Sequence, residues 1–201
     1  KMKSAILASL VATAAAFAPA QESARSSVAT NMAYADELGA QAPLGFFDPL
    51  GIVKNADQSK FDRLRGVEIK HGRICMLGVV GYLVTAAGIR LPGAISLDGK
   101  QFADIAAGWE GSSQVPLLGA LQIAALAGYL ELGGWKQAEG SFPGDFSASD
   151  FPVGWVQDYS EEEKLKKRAI ELNQGRAAQM GMLALMVHDK LGNVEDFFPK
   201  I

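Results

Sequence analysis

Three segments of the chain are rich in apolar residues, and they are separated by loops rich in glycine and acidic residues. The apolar runs are 74–89, 115–133 and 177–187. A lone membrane helix needs about 20 apolar residues, so the first and third runs are short. Pro92 and Gly93 end the first helix near Ile89, and Gly192 ends the third near Leu191. The pattern predicts an all-α membrane protein with three transmembrane helices.

The third helix has a clear start signal. Ser160 is followed by three glutamates, which predicts an N-cap with a capping box and acidic side chains at the positive end of the helix. Its apolar part is too short to be recognised by hydropathy. We nevertheless predict a span there, because polar residues are tolerated at depth when they face a partner.

Two stretches of the chain nearly repeat each other. The sequence Glu-Ile-Lys-His-Gly-Arg at 68–73 returns 103 residues later as Glu-Leu-Asn-Gln-Gly-Arg at 171–176. A turn that contains an aspartate precedes each copy, at Asp48 and at Asp150. Duplication of one turn-plus-helix unit is the simplest account.

The charges of the repeat predict how its two helices meet. Glu68 and Arg73 are separated by about 500° of helical rotation, so they are poorly placed to pair with each other. If the two helices cross at their glycines, which allow close approach, each acid meets the arginine of the other copy. The predicted pairs are Glu68 with Arg176 and Glu171 with Arg73, and the crossing glycines are Gly72 and Gly175.

Several polar side chains in or beside the apolar runs are candidate ligands. Glu68 and His71 point about 60° apart, so they offer two separate ligands to metal centres that each lack one bond. A chlorophyll magnesium is such a centre, and imidazole, amide and carboxylate groups all suit it. Further candidates are Gln122, Glu131, Gln174 and His188. An ideal helix would place Gln122 and Glu131 on opposite faces.

Each candidate also has a simpler interpretation. Gln122 could form a helix–helix hydrogen bond, Gln174 a local one, and His188 could be solvated at a helix end. The four charged residues of the repeats, Glu68, Arg73, Glu171 and Arg176, could serve only as structural ion pairs. Both roles are compatible.

Composition excludes some classes of function. The net charge of −3 and the lack of a basic patch argue against nucleic-acid binding. A single cysteine, Cys75, excludes an internal disulfide. With no serine or cysteine placed to use either histidine, an enzyme is not predicted.

Ten basic residues lie on one side of the predicted spans and four on the other, and this asymmetry predicts an N-terminus on the non-translocated side.

The N-terminal region has the composition of targeting segments. Residues 1–16 have the basic start and apolar run of a signal peptide, and 17–31 have the composition of an organelle transit segment. The mature domain would then be 32–201. The junction at Phe17 resembles the signal–transit boundary of algae whose plastid lies inside the secretory system. An ordinary exported protein with a linker is the alternative.

Both repeat motifs, together with the Gly-Phe-Phe-Asp-Pro-Leu-Gly sequence at 45–51, resemble the light-harvesting chlorophyll-binding superfamily. They look most like the fucoxanthin chlorophyll a/c proteins of diatoms and related algae. The resemblance extends from Gly45 to about Phe198. It implies an integral thylakoid antenna with a stromal N-terminus and three membrane helices, the first and third crossed as a pseudo-two-fold repeat.

The resemblance also implies pigments and partners. The pigments would be chlorophyll a, chlorophyll c and fucoxanthin, with diadinoxanthin as a further carotenoid. The partners would be membrane lipids, other antenna subunits in a homo- or hetero-oligomer, and the core of photosystem I or II, which receives the excitation energy.

Particular residues acquire roles by the same resemblance. The axial ligands would be Glu68, His71, Glu171 and Gln174 in the repeats, Glu131 at the end of the middle helix, and His188. Gln174 stands where many green-lineage members have asparagine. The spacing from Gln122 to the acid of the middle helix, Glu131, differs by one residue from the spacing in those members. Arg73 and Arg176 would form the interhelix ion pairs. The turns at Asp48 and Asp150 would border carotenoids.

Two other functions are compatible with these motifs. A relative within the superfamily that dissipates energy is one. A small proton or solute transporter that uses Glu68, Glu131 and Glu171 is a remote alternative, since membrane carboxylates commonly mark such paths.

Overall fold

The computed structural model describes residues 34–137, 140–146 and 159–196. Regular structure in these residues is helical, with isolated β-bridges and no β-strand, so the predicted all-α class is confirmed. The helices are α1 (Gln58–Ala86), α2 (Gly108–Gln114), α3 (Leu117–Tyr129) and α4 (Glu161–Leu191), with short 3-10 turns at Phe102–Asp104 and Val194–Asp196. The predicted targeting segments, and Asp150, lie outside the described residues.

The chain divides into two compact units, Lys1–Phe61 and Asp62–Ile201. In the first, the turn at Asp48 is built as its sequence predicts. The two carboxylate oxygens of Asp48 accept hydrogen bonds from the backbone N–H groups of Ile52 and Val53, at 2.9 and 3.0 Å. The carboxylate of this turn is therefore used to hold its own backbone.

Helix α1 ends three residues earlier than the apolar pattern predicts. Gly88 takes a left-handed conformation with φ of 78°. Its N–H donates to the carbonyl of Thr85, and the N–H of Ile89 donates to the carbonyl of Val84, at 3.1 and 3.2 Å. This is the Schellman arrangement that ends many helices. The glycine, rather than the later proline, stops the helix.

Helix α4 has both of its predicted ends. The Ser160 hydroxyl accepts from the N–H of Glu163, and the Glu163 carboxylate accepts from the N–H of Ser160. At the other end, Gly192 is left-handed, with φ of 72°. The capping box and the glycine stop are thus confirmed.

The middle helix continues past Tyr129 as a π-helix, Leu130–Gly134. The N–H of Trp135 donates to the carbonyl of Leu130, five residues back, at 2.9 Å. The apolar pattern does not predict this wide turn. Because its residues do not follow the 3.6-residue period, the ideal-helix projection that put Gln122 and Glu131 on opposite faces holds only as far as Tyr129.

Large apolar side chains face outward along the helices. Ile74, Leu77 and Leu132 are 69%, 75% and 91% exposed, which is typical of a surface that contacts an apolar environment or a partner. Length and apolarity identify one helix of the described part, Leu117–Gly134, as able to cross a membrane. Only 6% of that segment is buried, whereas the core helix of a soluble protein would be mostly buried.

Candidate functional site

Helices α1 and α4 touch backbone to backbone at the glycines of the repeat. A Cβ atom added to Gly72 would lie 2.9 Å from the Cα of Gly175, and one added to Gly175 would lie 3.1 Å from the Cα of Gly72. The structure therefore contains the glycine contact that the repeat predicts. Larger side chains at either position would force the helices apart.

Two reciprocal ion pairs flank this contact. The Nε of Arg73 lies 2.6 Å from the Oε1 of Glu171, and the Nε of Arg176 lies 2.7 Å from the Oε1 of Glu68. These are the two pairs that the sequence predicts. All four side chains are part-buried, so each pair neutralises charges that would be costly next to an apolar environment.

The second oxygen of Glu68 has a cationic partner as well. The Arg65 guanidinium pairs with its Oε2, so two arginines hold this one carboxylate. Arg65 is buried and stands three residues before Glu68, one helical turn away. That spacing was the sequence signal for the contact.

Glu171, the acid of the second copy, has a different environment. Arg73 of α1 pairs with it and also donates to the carbonyl of Gly144 at 2.8 Å. Arg168 occupies the position equivalent to Arg65, but its guanidinium lies 4.6 Å from the centre of the Phe142 ring. Among the described residues, only one oxygen of Glu171 has a partner.

Gln179 makes a hydrogen bond across the crossing that the sequence pattern does not predict. Its Nε2 donates to the backbone carbonyl of Glu68 at 3.0 Å. It stands four residues after Gly175 and so shares the helix face that meets α1. The equivalent residue in the first copy is Met76, which cannot donate a hydrogen bond.

His71 presents a free nitrogen to the outside of the crossing. Its side chain is exposed, and its Nδ1 lies 2.8 Å from the carbonyl oxygen of Val67. Because a carbonyl oxygen only accepts, Nδ1 carries the proton and Nε2 retains the lone pair. A neutral imidazole held in this way is suited to bind a metal.

The remaining predicted ligands lie apart from one another. Gln122 and Gln174 are exposed, and in the part of the chain that the structure describes their side chains make no hydrogen bond. Glu131 is exposed and pairs with Lys70 of α1, with 2.6 Å between Oε2 and Nζ. Lys70 was not among the predicted site residues.

The far end of α4 contains the last candidate. The Nδ1 of His188 lies 3.0 Å from the amide oxygen of Asn193, an acceptor, so this nitrogen also carries the proton. The sequence pattern does not predict the role of the next residue, Asp189, in joining helices. Its oxygens accept from the Tyr82 hydroxyl at 3.0 Å and the Trp109 N–H at 2.6 Å, which joins α1, α2 and α4.

A family model described as "Chlorophyll A-B binding protein" matches residues 34–190. The chain belongs to the chlorophyll A-B binding protein family. Alignments with related proteins cover nearly the whole chain. Fucoxanthin-chlorophyll a-c binding protein F of Phaeodactylum tricornutum is 62% identical over 95% of this chain and 97% of its own length.

Two other organisms contain similar proteins. The fucoxanthin-chlorophyll a-c binding protein of Trieres chinensis is 54% identical over 95% of this chain and 96% of its own. Fucoxanthin-chlorophyll a-c binding protein B of Macrocystis pyrifera is 50% identical over 96% of this chain and 93% of its own length. The resemblance predicted from the repeat motifs and the Asp48 turn is confirmed.

The donor set of this family member fits the magnesium of a chlorophyll. The ring nitrogens of that pigment leave an axial position for one further ligand. The neutral Nε2 of His71, the exposed amide of Gln174 and the second oxygens of Glu131 and Glu171 are each single donors of the nitrogen or oxygen type. The first oxygens of Glu131 and Glu171 are held by Lys70 and Arg73, and the Nδ1 of His71 by the carbonyl of Val67.

Proposed function

We propose that this protein is a light-harvesting antenna that binds chlorophyll a, chlorophyll c and fucoxanthin and transfers excitation energy to photosystems. The observation that carries the proposal is the contact of α1 with α4. There, paired charges lock the helices, while single donors such as His71 remain exposed beside the lock. Relatives at 50–62% identity, named for these pigments, support the pigment classes.

In this proposal the chain does not catalyse a reaction. When bound, the chlorophylls and the carotenoid supply light absorption and energy transfer. The residues of the chain fix where each pigment can bind, orient it, and tune its energy through ligand type and local polarity. Rigid attachment matters for that role, and the glycine contact at Gly72 and Gly175 together with both ion pairs provides it.

The proposed ligands differ in how the protein holds them. His71 offers Nε2 because Val67 holds the other nitrogen. Glu171 and Glu131 are each held through one oxygen by a cation of α1, so the other oxygen can coordinate. The proposed ligand set is Glu68, His71, Gln122, Glu131, Glu171, Gln174 and His188. For Glu68, whose oxygens each accept from an arginine, coordination would use a remaining lone pair.

The membrane arrangement is part of the proposal. We infer three spans: α1, α3 with its π-helical end, and α4. The outward apolar side chains of α1 and the composition of Leu117–Gly134 support it. Names of the relatives include "chloroplastic", which supports the thylakoid membrane as the location. A stromal N-terminus, a signal peptide at 1–16, a transit segment at 17–31 and a pigment domain at 32–201 complete the proposal.

The partners follow from the same role. An antenna passes energy onward, so we propose contacts with other antenna subunits, with membrane lipids and with photosystem I or II. Outward-facing side chains such as Leu77 and Leu132 offer apolar surface for lipids, pigments and neighbouring subunits.

Fluorescence excitation of the protein isolated from thylakoids in mild detergent tests this function. Emission from chlorophyll a is recorded while the excitation wavelength is scanned, and the pigments are extracted in parallel. We expect chlorophyll c and carotenoid bands in the excitation spectrum, because bound pigments within transfer distance sensitise chlorophyll a. A colourless protein would contradict pigment binding. Pigments that absorb without sensitising chlorophyll a would instead indicate the energy-dissipating relative.

A further inference from the structure

We infer that Lys70 of α1 is a positioning residue for the Glu131 carboxylate, and that it determines whether a chlorophyll is held at the π-helical end of α3. The inference rests on the proposed function, since it concerns how one of the proposed ligands is held. Neither residue belongs to the reciprocal pairs of the crossing. The Lys70–Glu131 pair instead joins α1 to the third long helix.

The contact itself is short and long-range in sequence. The Nζ of Lys70 lies 2.6 Å from the Oε2 of Glu131, across 61 residues. The other oxygen of Glu131 has no partner among the described residues. Arg73 holds Glu171 through one oxygen in the same way, at 2.6 Å. Helix α1 therefore supplies, one turn apart, a cation for an acid on each of the other two long helices.

Charge balance explains why Glu131 needs a partner from another helix. The segment Leu117–Gly134 contains no lysine, arginine or histidine. Its acid has no counterpart in the repeat, so the exchange of partners at the crossing does not reach it. A lone carboxylate next to apolar surroundings is costly. Lys70 removes that cost while occupying only one of the two oxygens.

The local backbone also directs Glu131. It lies in the π-helical turn, where the wider period changes the direction of the side chain relative to the preceding helix. Such turns often occur at functional sites. The π-turn and Lys70 together fix the direction of a carboxylate that is 54% exposed and would otherwise sample several rotamers.

Reconstitution with pigments tests the inference. The full chain and its K70Q, K70R and E131A variants are refolded in detergent with purified chlorophyll a, chlorophyll c and fucoxanthin, and chlorophyll per polypeptide and absorption spectra are measured. We expect K70Q to lose the same single chlorophyll and the same absorption band as E131A. The K70Q/E131A double variant should lose no more than either alone. K70R, which keeps the charge, should restore both.

The matched control is Lys164. It pairs with Glu161 at 2.7 Å, and this hydrogen bond and charge lower the pKa of the Glu161 carboxyl. It is also a Lys–Glu ion pair of similar length, but it lies within one helix, at the N-terminal end of α4 and before the crossing. We expect K164Q to keep every chlorophyll and the unchanged spectrum.

Each other outcome has a defined meaning. If K70Q keeps all its chlorophyll while E131A loses one, or if E131A loses none, the inference is wrong and the contact is an ordinary surface ion pair. If K70Q does not assemble, K70M removes the charge without adding an amide and decides in its place. If neither assembles while E131A does, Lys70 is structural and the inference is also wrong. An unmodified chain that binds no pigment would instead contradict the proposed function.

Discussion

Glu68 on α1 and Glu171 on α4 occupy equivalent positions in the two repeats, yet their partners differ. Glu68 receives Arg176 on one oxygen and Arg65 on the other. Among the described residues Glu171 receives Arg73 alone, and the equivalent arginine, Arg168, stacks on Phe142. The first acid thus has both oxygens held by arginines, one across the crossing and one within α1.

The difference shows how a duplicated unit can divide two roles. Both acids contribute to the lock, since each accepts from the arginine of the other copy. Only the second acid keeps a carboxylate oxygen without a described partner. We therefore expect Glu68 to matter more for folding and Glu171 more for holding a chlorophyll.

Neutralising each acid in turn gives the largest expected effect. The E68Q variant removes the carboxylate that two arginines share, one of them buried, and removing one partner of a buried pair costs about 3–5 kcal/mol. E171Q leaves one part-exposed arginine and should cost about half as much. Unfolding midpoints of the reconstituted variants in detergent, with chlorophyll per polypeptide, measure both properties. Equal losses of stability in the two variants would contradict the division of roles.

The glycine contact gives the second largest effect. In G72A the new Cβ would lie 2.9 Å from the Cα of Gly175, and a backbone atom cannot turn away. We expect a loss of about 1–3 kcal/mol, as for other overpacked positions, and weakening of both ion pairs. Thermal unfolding followed by circular dichroism measures it.

Gly81 is the matched control for that substitution. It lies in the same helix, and an added Cβ would meet no atom within 4 Å. G81A should be neutral or should stabilise the helix by up to about 1 kcal/mol, because alanine is the better helix former. If both variants lose the same stability, the cause is not the crossing.

Much of this architecture follows from local sequence. The ends of α4 follow from Ser160, Glu163 and Gly192, because capping depends on residues within one turn. Both interhelix ion pairs follow from the repeat, because symmetry converts one motif into a contact between two helices. For the same reason, Gly72 and Gly175 could be assigned to the crossing.

Other features depend on tertiary placement. The Arg65 contact has an i, i+3 signal, but the equivalent Arg168 has the same spacing and makes a different contact. Lys70 and Glu131 are 61 residues apart, and the helix of Glu131 has no counterpart in the repeat, so neither a local period nor the repeat relates them. The π-turn at Leu130–Gly134 likewise has no apolar pattern of its own.

Gln179 offers the smallest and most direct test of the asymmetry between the copies. Its amide donates to the Glu68 carbonyl, whereas the first copy has Met76 at the equivalent position. Q179M makes the two copies alike and removes one hydrogen bond, for an expected loss of about 0.5–1.5 kcal/mol. Methionine fills a similar volume, so packing at the crossing should survive, and chlorophyll content should not change. An unfolding midpoint that is unchanged in Q179M would mean that this amide does not contribute to the difference, which would then rest on Arg65 and Arg168.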